Sequence, residues 1–155
     1  MNIIIREINK FEINKLEKMM QLYLHDLSIS FPFDFNSEIC EYKYDIISYF
    51  QYNKAYFIRA DKDILGFILV DINSDNMFEI SEMFVLNNYK GKGIGGIAAK
   101  KIFDLYKGKW TIKVLPNSIG AEKFWKKTVK KYTNNKYEIV HTGKYNRAEF
   151  YFDNY

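Results

Sequence analysis

Residues 84–96, Phe-Val-Leu-Asn-Asn-Tyr-Lys-Gly-Lys-Gly-Ile-Gly-Gly, run from a strand-like apolar stretch through a glycine-rich turn into a helix. Glycine lets successive backbone N–H groups converge on one point with no side chain in the way, and the following helix adds the positive end of its dipole. The chemistry this suits is capture of an anion, phosphate above all. Gly91 to Gly96 formally satisfies G-x-G-x-x-G, the dinucleotide pattern. That pattern also needs a buried apolar first strand and an acidic residue about 20 positions onward for a ribose hydroxyl. Here the preceding strand carries Glu79 and Glu82, and the later region reads Lys113-Val114-Leu115-Pro116. A P-loop nucleotidase ranks lower still, since no G-x-x-x-x-G-K-[ST] run exists. Cys40, His25 and His141 lack the Cys-His-Asx spacing of a nucleophilic site and read as core or surface residues.

The charge around the turn is uneven. Between residues 87 and 131 twelve lysines face only Asp104 and Glu122, a balance of +10 in a chain whose net charge is +4, so the remainder carries −6. Solvated helix faces account for many of these lysines, and together they also form a field that attracts a polyanion to the turn.

The elements that must position the turn follow from periodicity. Residues 2–9 read as a strand. Apolar positions from Phe11 to Leu27 recur at helical spacing, and Pro32 marks a loop over residues 30–36. A second helix is expected over residues 38–51, capped by Asn36 or Ser37. Strands follow over residues 55–60 and 64–72, then a turn over residues 73–76 and a strand over residues 77–86. A helix over residues 93–107, a strand over 110–115, a helix over 118–131 and strands over 137–142 and 147–152 complete the chain. The order β α α β β β α β α β β predicts a single-domain mixed α/β sheet spanning residues 1–155 with about four helices. A single cysteine excludes an internal disulfide framework and a cysteine-based zinc cluster. The opening apolar run, Ile3 to Ile5, is too short for a signal peptide and no later run reaches membrane-spanning length, so a cytoplasmic protein without a membrane partner is expected.

Lys90-Gly91-Lys92-Gly93-Ile94-Gly95 resembles motif A of the GNAT superfamily of N-acetyltransferases, with lysine where the family has Gln or Arg. Pro116-Asn117, Ala121 and Phe124-Trp125 resemble its motif B, and the element order is the superfamily's own. Glu82-Met83-Phe84-Val85 and the Phe124-Trp125 pair are similar to a bacterial branch of predicted acetyltransferases. The resemblance implies a mostly antiparallel sheet splayed at its fourth strand, with acetyl-CoA as acetyl donor and no metal. It implies that Gly91, Lys92, Gly93, Ile94, Gly95 and Gly96, with Lys90, hold the pyrophosphate. The backbone of Met83, Phe84 and Val85 would meet the pantetheine arm, with Asn117, Trp125, Lys123 and Lys126 as further coenzyme contacts. Backbone N–H groups suit a developing oxyanion because they need no reorganisation.

An acceptor amine with a pKa near 10.4 is protonated at neutral pH and must lose that proton to attack a thioester. The resemblance places Glu79 where some family members carry a catalytic glutamate, and Glu79 is the expected base, acting directly or through water, with Glu82 as its rival. Three residues apart, the two face opposite sides of a regular strand unless a bulge intervenes. Many members protonate the leaving thiolate with a tyrosine four residues after the motif B alanine. Trp125 stands there, which leaves Tyr132 and Tyr89 as candidate acids. Residues 25–50 carry Asp26, Asp34, Glu38, Glu41 and Asp45 against Lys43, on the side where the family binds its acceptor. The expected activity is therefore direct acetyl transfer, in a ternary complex, to a primary amine, cationic in character, on a small molecule or lysine side chain, by a monomer or homodimer. An acyl-CoA sensor without catalysis is the alternative. A basic nucleic-acid-binding module ranks below both, because the lysine-rich segment lacks arginine and a readout motif.

Overall fold

The computed structural model describes residues 1–73 and 75–155. Ser74, in the expected 73–76 turn, lies outside the described residues. Among the described residues there are nine strands and four α-helices: β1 (Ile3–Glu7), α1 (Ile13–Leu27), β2 (Phe35–Asn36), β3 (Glu41–Tyr42), α2 (Ile46–Phe50), β4 (Lys54–Ala60), β5 (Asp63–Asn73), β6 (Met77–Val85), α3 (Ile94–Leu105), β7 (Lys109–Lys113), α4 (Ile119–Thr133), β8 (Glu138–Thr142) and β9 (Arg147–Asp153). Seven strands form one sheet in the order β1-β4-β5-β6-β7-β9-β8. Among the described residues only β6 and β7 pair in parallel; the other neighbours in this sheet are antiparallel.

Both faces of the central strands are covered, and β5 accordingly reads as the near-continuous apolar run Ile64-Leu65-Gly66-Phe67-Ile68-Leu69-Val70. Phe67 and Leu69 join Leu16, Met20 and Leu24 of α1 in one core. Leu65, Ile68 and Val70 join Ala98, Ile102 and Phe103 of α3 and Trp125 and Val129 of α4 in the other.

The expected helix over residues 38–51 is reduced to α2, and a two-stranded hairpin, β2–β3, takes the place of its first half. Cys40 adopts a left-handed φ of 54°, which a continuing helix does not allow. The Asn36 side chain accepts from the Glu38 amide as a turn, so the cap forms nine residues later, where Asp45 accepts from the Ser48 amide at 3.1 Å. Gln21 of α1 fixes the hairpin by pairing with both the amide and the carbonyl of Tyr42, at 2.7 and 2.9 Å.

The sheet opens between β6 and β7. Their register covers only Met77↔Lys109, Phe78↔Trp110 and Glu79↔Thr111, although β6 runs on to Val85. Beyond that point β7 stays with β9, and Val114 still donates to Ala148 at 2.9 Å. On its other edge β6 is kinked by a bulge: Val70 faces Ile80 while Leu69 faces Glu82, which leaves Ser81 as the extra residue.

Candidate active site

The glycine turn leaves β6 at the open end of this cleft. Gly91 and Gly93 have φ of 76° and 77°, a conformation that other residues adopt at a cost, and Gly93 caps α3 without a side-chain hydrogen bond. The first helical bond runs from the Ile97 amide to the Gly93 carbonyl at 3.1 Å, so the amides of Ile94, Gly95 and Gly96 belong to the unpaired first turn. Nothing lies within 4 Å of where a Cβ would stand on Gly91 or Gly93, so the turn is open at both positions. Gly95 serves packing: a Cβ there would meet Met83 Cε at 2.9 Å and the Phe124 ring at 3.1 Å. The α3 first turn carries no acidic residue.

The lysines divide into two groups. Lys90 Nζ lies 3.3 Å from Asp26 of α1 and 5.7 Å from the centre of the Phe84 ring, so its charge ties the turn to α1. Lys92, Lys123 and Lys126 are exposed and have no carboxylate partner among the described residues. Asn117, at a left-handed φ of 63°, lies in the connection from β7 to α4.

Along β6 the side chains of Met83 and Val85 pack toward the α3–α4 core, and Phe84 is buried in the α1 core. Glu79 faces Asp71 and Glu82 faces Leu69, two positions apart on β5, so the bulge at Ser81 brings both glutamates to the α1–α2 side. Glu79 Oε2 is 3.5 Å from Lys113 Nζ. Burial raises its proton affinity, Lys113 opposes this, and Asp71 and Glu149 add to it. Glu82 is more enclosed. Burial lifts its pKa to about 7, the hydrogen bond from Tyr23 works against the rise, and Asp71 and Glu79 reinforce it.

Periodicity gave no notice of several neighbours of this pair. Tyr23 of α1 donates to Glu82 Oε2. Tyr49 of α2 is 3.2 Å from the Ser81 hydroxyl, and the Tyr44 phenol is held protonated by burial and by Glu82 and Asp71. Asp71 Oδ1 is buried with no hydrogen-bond partner among the described residues. Its signal in the sequence was a lone carboxylate within the apolar run Ile68 to Ile72. Glu149, 7% exposed, is held by Arg147 at 2.9 Å and by Tyr151.

Several expectations need correction. Tyr132 sits at the far end of α3 from the glycine turn, donating to Asp104 at 3.0 Å and accepting from Asn154 at 3.2 Å, so it is not grouped with the carboxylates. The Trp125 side chain is 8% exposed within the α3–α4 core, edge-on to Phe124 at 4.9 Å, because α4 turns this position toward the sheet; the indole is a packing group. Tyr89 also packs toward that core. The acids of residues 25–50 do not converge either. Asp26 pairs with Lys90, Asp45 caps α2, and Asp34, Glu38 and Glu41 are exposed around the hairpin.

A glycine turn leading into an uncapped helix and a pair of strand carboxylates therefore lie along β6 at an opening in the sheet. The acetyltransferase (GNAT) family model matches residues 16–129. No curated protein matches the chain. Among solved structures, the PaiA N-acetyltransferase of Thermoplasma acidophilum in complex with coenzyme A is 16% identical, with a TM-score of 0.67 over 99% of this chain and 100% of that one. A GNAT family acetyltransferase of Elizabethkingia anophelis with acetyl-CoA bound is 16% identical, with a TM-score of 0.58 over 99% of each chain. One from Staphylococcus aureus is 15% identical, with a TM-score of 0.64 over 98% of this chain and 99% of that one. At these identities the likeness is one of fold, and it agrees with a family match that takes in both the α1 side of the cleft and the glycine turn: the chain belongs to the GNAT acetyltransferase family.

Proposed function

We propose that the protein is an acetyl-CoA-dependent N-acetyltransferase that moves an acetyl group directly to a primary amine in a ternary complex. The observation that carries this reading is the opening between β6 and β7, with the uncapped first turn of α3 at one end and Glu82 on the strand that feeds it. Residues 91–96 hold the pyrophosphate, and the exposed Lys92, Lys123 and Lys126 meet the remaining phosphate charge. The backbone of Met83 to Val85 lines the thioester. Bound there, acetyl-CoA supplies an activated acyl carbon.

Glu82 takes the proton of the acceptor ammonium, directly or through one water, because its carboxylate is the more enclosed and its proton affinity is raised toward neutrality. Glu79, engaged with Lys113, helps to make the site attractive to a cation. Asp71, Glu79, Glu82 and Glu149 outnumber Lys113 and Arg147 on this side of the sheet, which supports a positively charged acceptor. With a tryptophan buried where many relatives use a tyrosine, an acyl-CoA sensor remains the second reading.

Calorimetry with acetyl-CoA, followed by thiol release across an amine panel, tests both. Binding with turnover supports the enzyme, binding without turnover the sensor, and binding undiminished in Gly95→Glu removes the proposed cradle. Preference for neutral or acidic acceptors would overturn the cationic assignment.

A further inference from the structure

Tyr23, partly buried, lies within α1, whose buried positions are Leu16, Met20 and Leu24. Its ring is fixed on two sides, edge-on to Phe67 at 5.6 Å and against Phe84 at 5.7 Å. From this seat the hydroxyl donates to Glu82 Oε2, the one side-chain hydrogen bond to Glu82 among the described residues. The other groups that bear on Glu82 are Asp71 of β5, Glu79 of its own strand and Tyr44 from the segment before α2. None of them is cationic, and the nearby Lys113 is engaged by Glu79. Tyr23 is thus the one group in this set that favours the ionised carboxylate. Burial and the Glu82 charge keep its phenol protonated, so the donor is present throughout the working pH range.

We infer that Tyr23 is a positioning residue, whose hydroxyl ties down one carboxylate oxygen of Glu82, leaves the other for the amine, and lets α1 set the pH at which the site becomes active. This rests on the reading of Glu82 as the base.

Tyr23→Phe keeps the ring and its contacts with Phe67 and Phe84 while removing the donor. Loss of a hydrogen bond to the charged form raises a carboxyl pKa, by about one pH unit for a charge-assisted bond. The test is a titration of the full chain labelled with carboxyl-13C glutamate, the Glu82 signal being identified by its loss in Glu82→Gln. A parallel pH profile of kcat/KM uses the best amine of the panel. The expected result is an upward shift of the Glu82 midpoint by about one unit, with the acidic limb of kcat/KM following it. A midpoint that moves by less than about 0.3 unit overturns the inference.

Should Tyr23→Phe fail to fold, 3-fluorotyrosine at position 23 provides the opposite perturbation. Its more acidic phenol is a stronger donor and must move the midpoint down; no movement overturns the inference. Full turnover by Glu82→Gln would sink the base assignment alone, because the titration still reports whether Tyr23 holds the carboxylate.

Discussion

Burial of Glu82 beside Asp71 and Glu79 raises its proton affinity into the range where a general base is effective at neutral pH, and the same burial costs stability. Its native pKa of about 7 lies above the ordinary value of 4.5. Between these values the native state keeps a proton that the unfolded chain releases, so stability falls as pH rises through this window and stays lower above it. Glu82→Gln removes that dependence: relative to the parent protein it should gain about 3 kcal/mol more at pH 8 than at pH 4, measured by denaturant unfolding at both pH values. The same variant should bind acetyl-CoA as before while losing about 100-fold or more in turnover. In the parent protein kcat/KM should rise with pH through about 7, as Glu82 ionises. At this scale the sequence showed two glutamates three apart and the condition that would bring them to one face. It did not show the bulge at Ser81, because a bulge arises from how β6 meets β5 and has no sequence signature within the strand.

The strand that carries Glu82 depends on a close approach further along β5. A Cβ on Gly66 would stand 1.9 Å from the Phe84 carbonyl oxygen and 3.0 Å from Val85 Cα, both backbone atoms that cannot move without disturbing the β5–β6 ladder. Gly66→Ala should therefore cost about 3 kcal/mol in denaturant unfolding and displace the strand end that feeds the glycine turn. Gly93→Ala offers the contrast. Its φ of 77° is strained for alanine but the space around it is open, so about 1 kcal/mol is expected, with acetyl-CoA binding weakened beyond what the stability change implies. Elements with strong periodicity, α1, α3 and α4, were legible within a few residues of their ends. The segment before α2 was not, since Gln21 pairs with Tyr42 from another element and a left-handed residue at Cys40 ends any helix there.

Over the whole molecule the charge separates by side of the cleft. α3, α4 and the turn hold most of the +10 balance of residues 87–131, while Asp71, Glu79, Glu82 and Glu149 lie on the opposite face. Some of the lysines are already neutralised: Lys100 pairs with Asp104 at 2.6 Å, Lys113 with Glu79 at 3.5 Å and Lys90 with Asp26 at 3.3 Å. The raw count in the sequence therefore overstates the field, because ion pairs between distant elements cannot be read from composition. What remains near the turn is exposed, so its pull on a polyanion is screened over about 10 Å at 0.1 M salt and falls as salt rises. The affinity for acetyl-CoA should accordingly weaken steadily between about 0.05 and 0.5 M sodium chloride. Combined Lys92→Ala and Lys126→Ala changes should weaken binding at low salt and flatten that dependence. Lys18→Ala, on the exposed side of α1, should leave both unchanged. Calorimetric titrations at three salt concentrations read the slope directly. An equal slope in the double variant would place the phosphate-binding charge elsewhere on the α3–α4 surface, and a flat profile in the parent protein would leave the amides of the turn as the whole of the anion site.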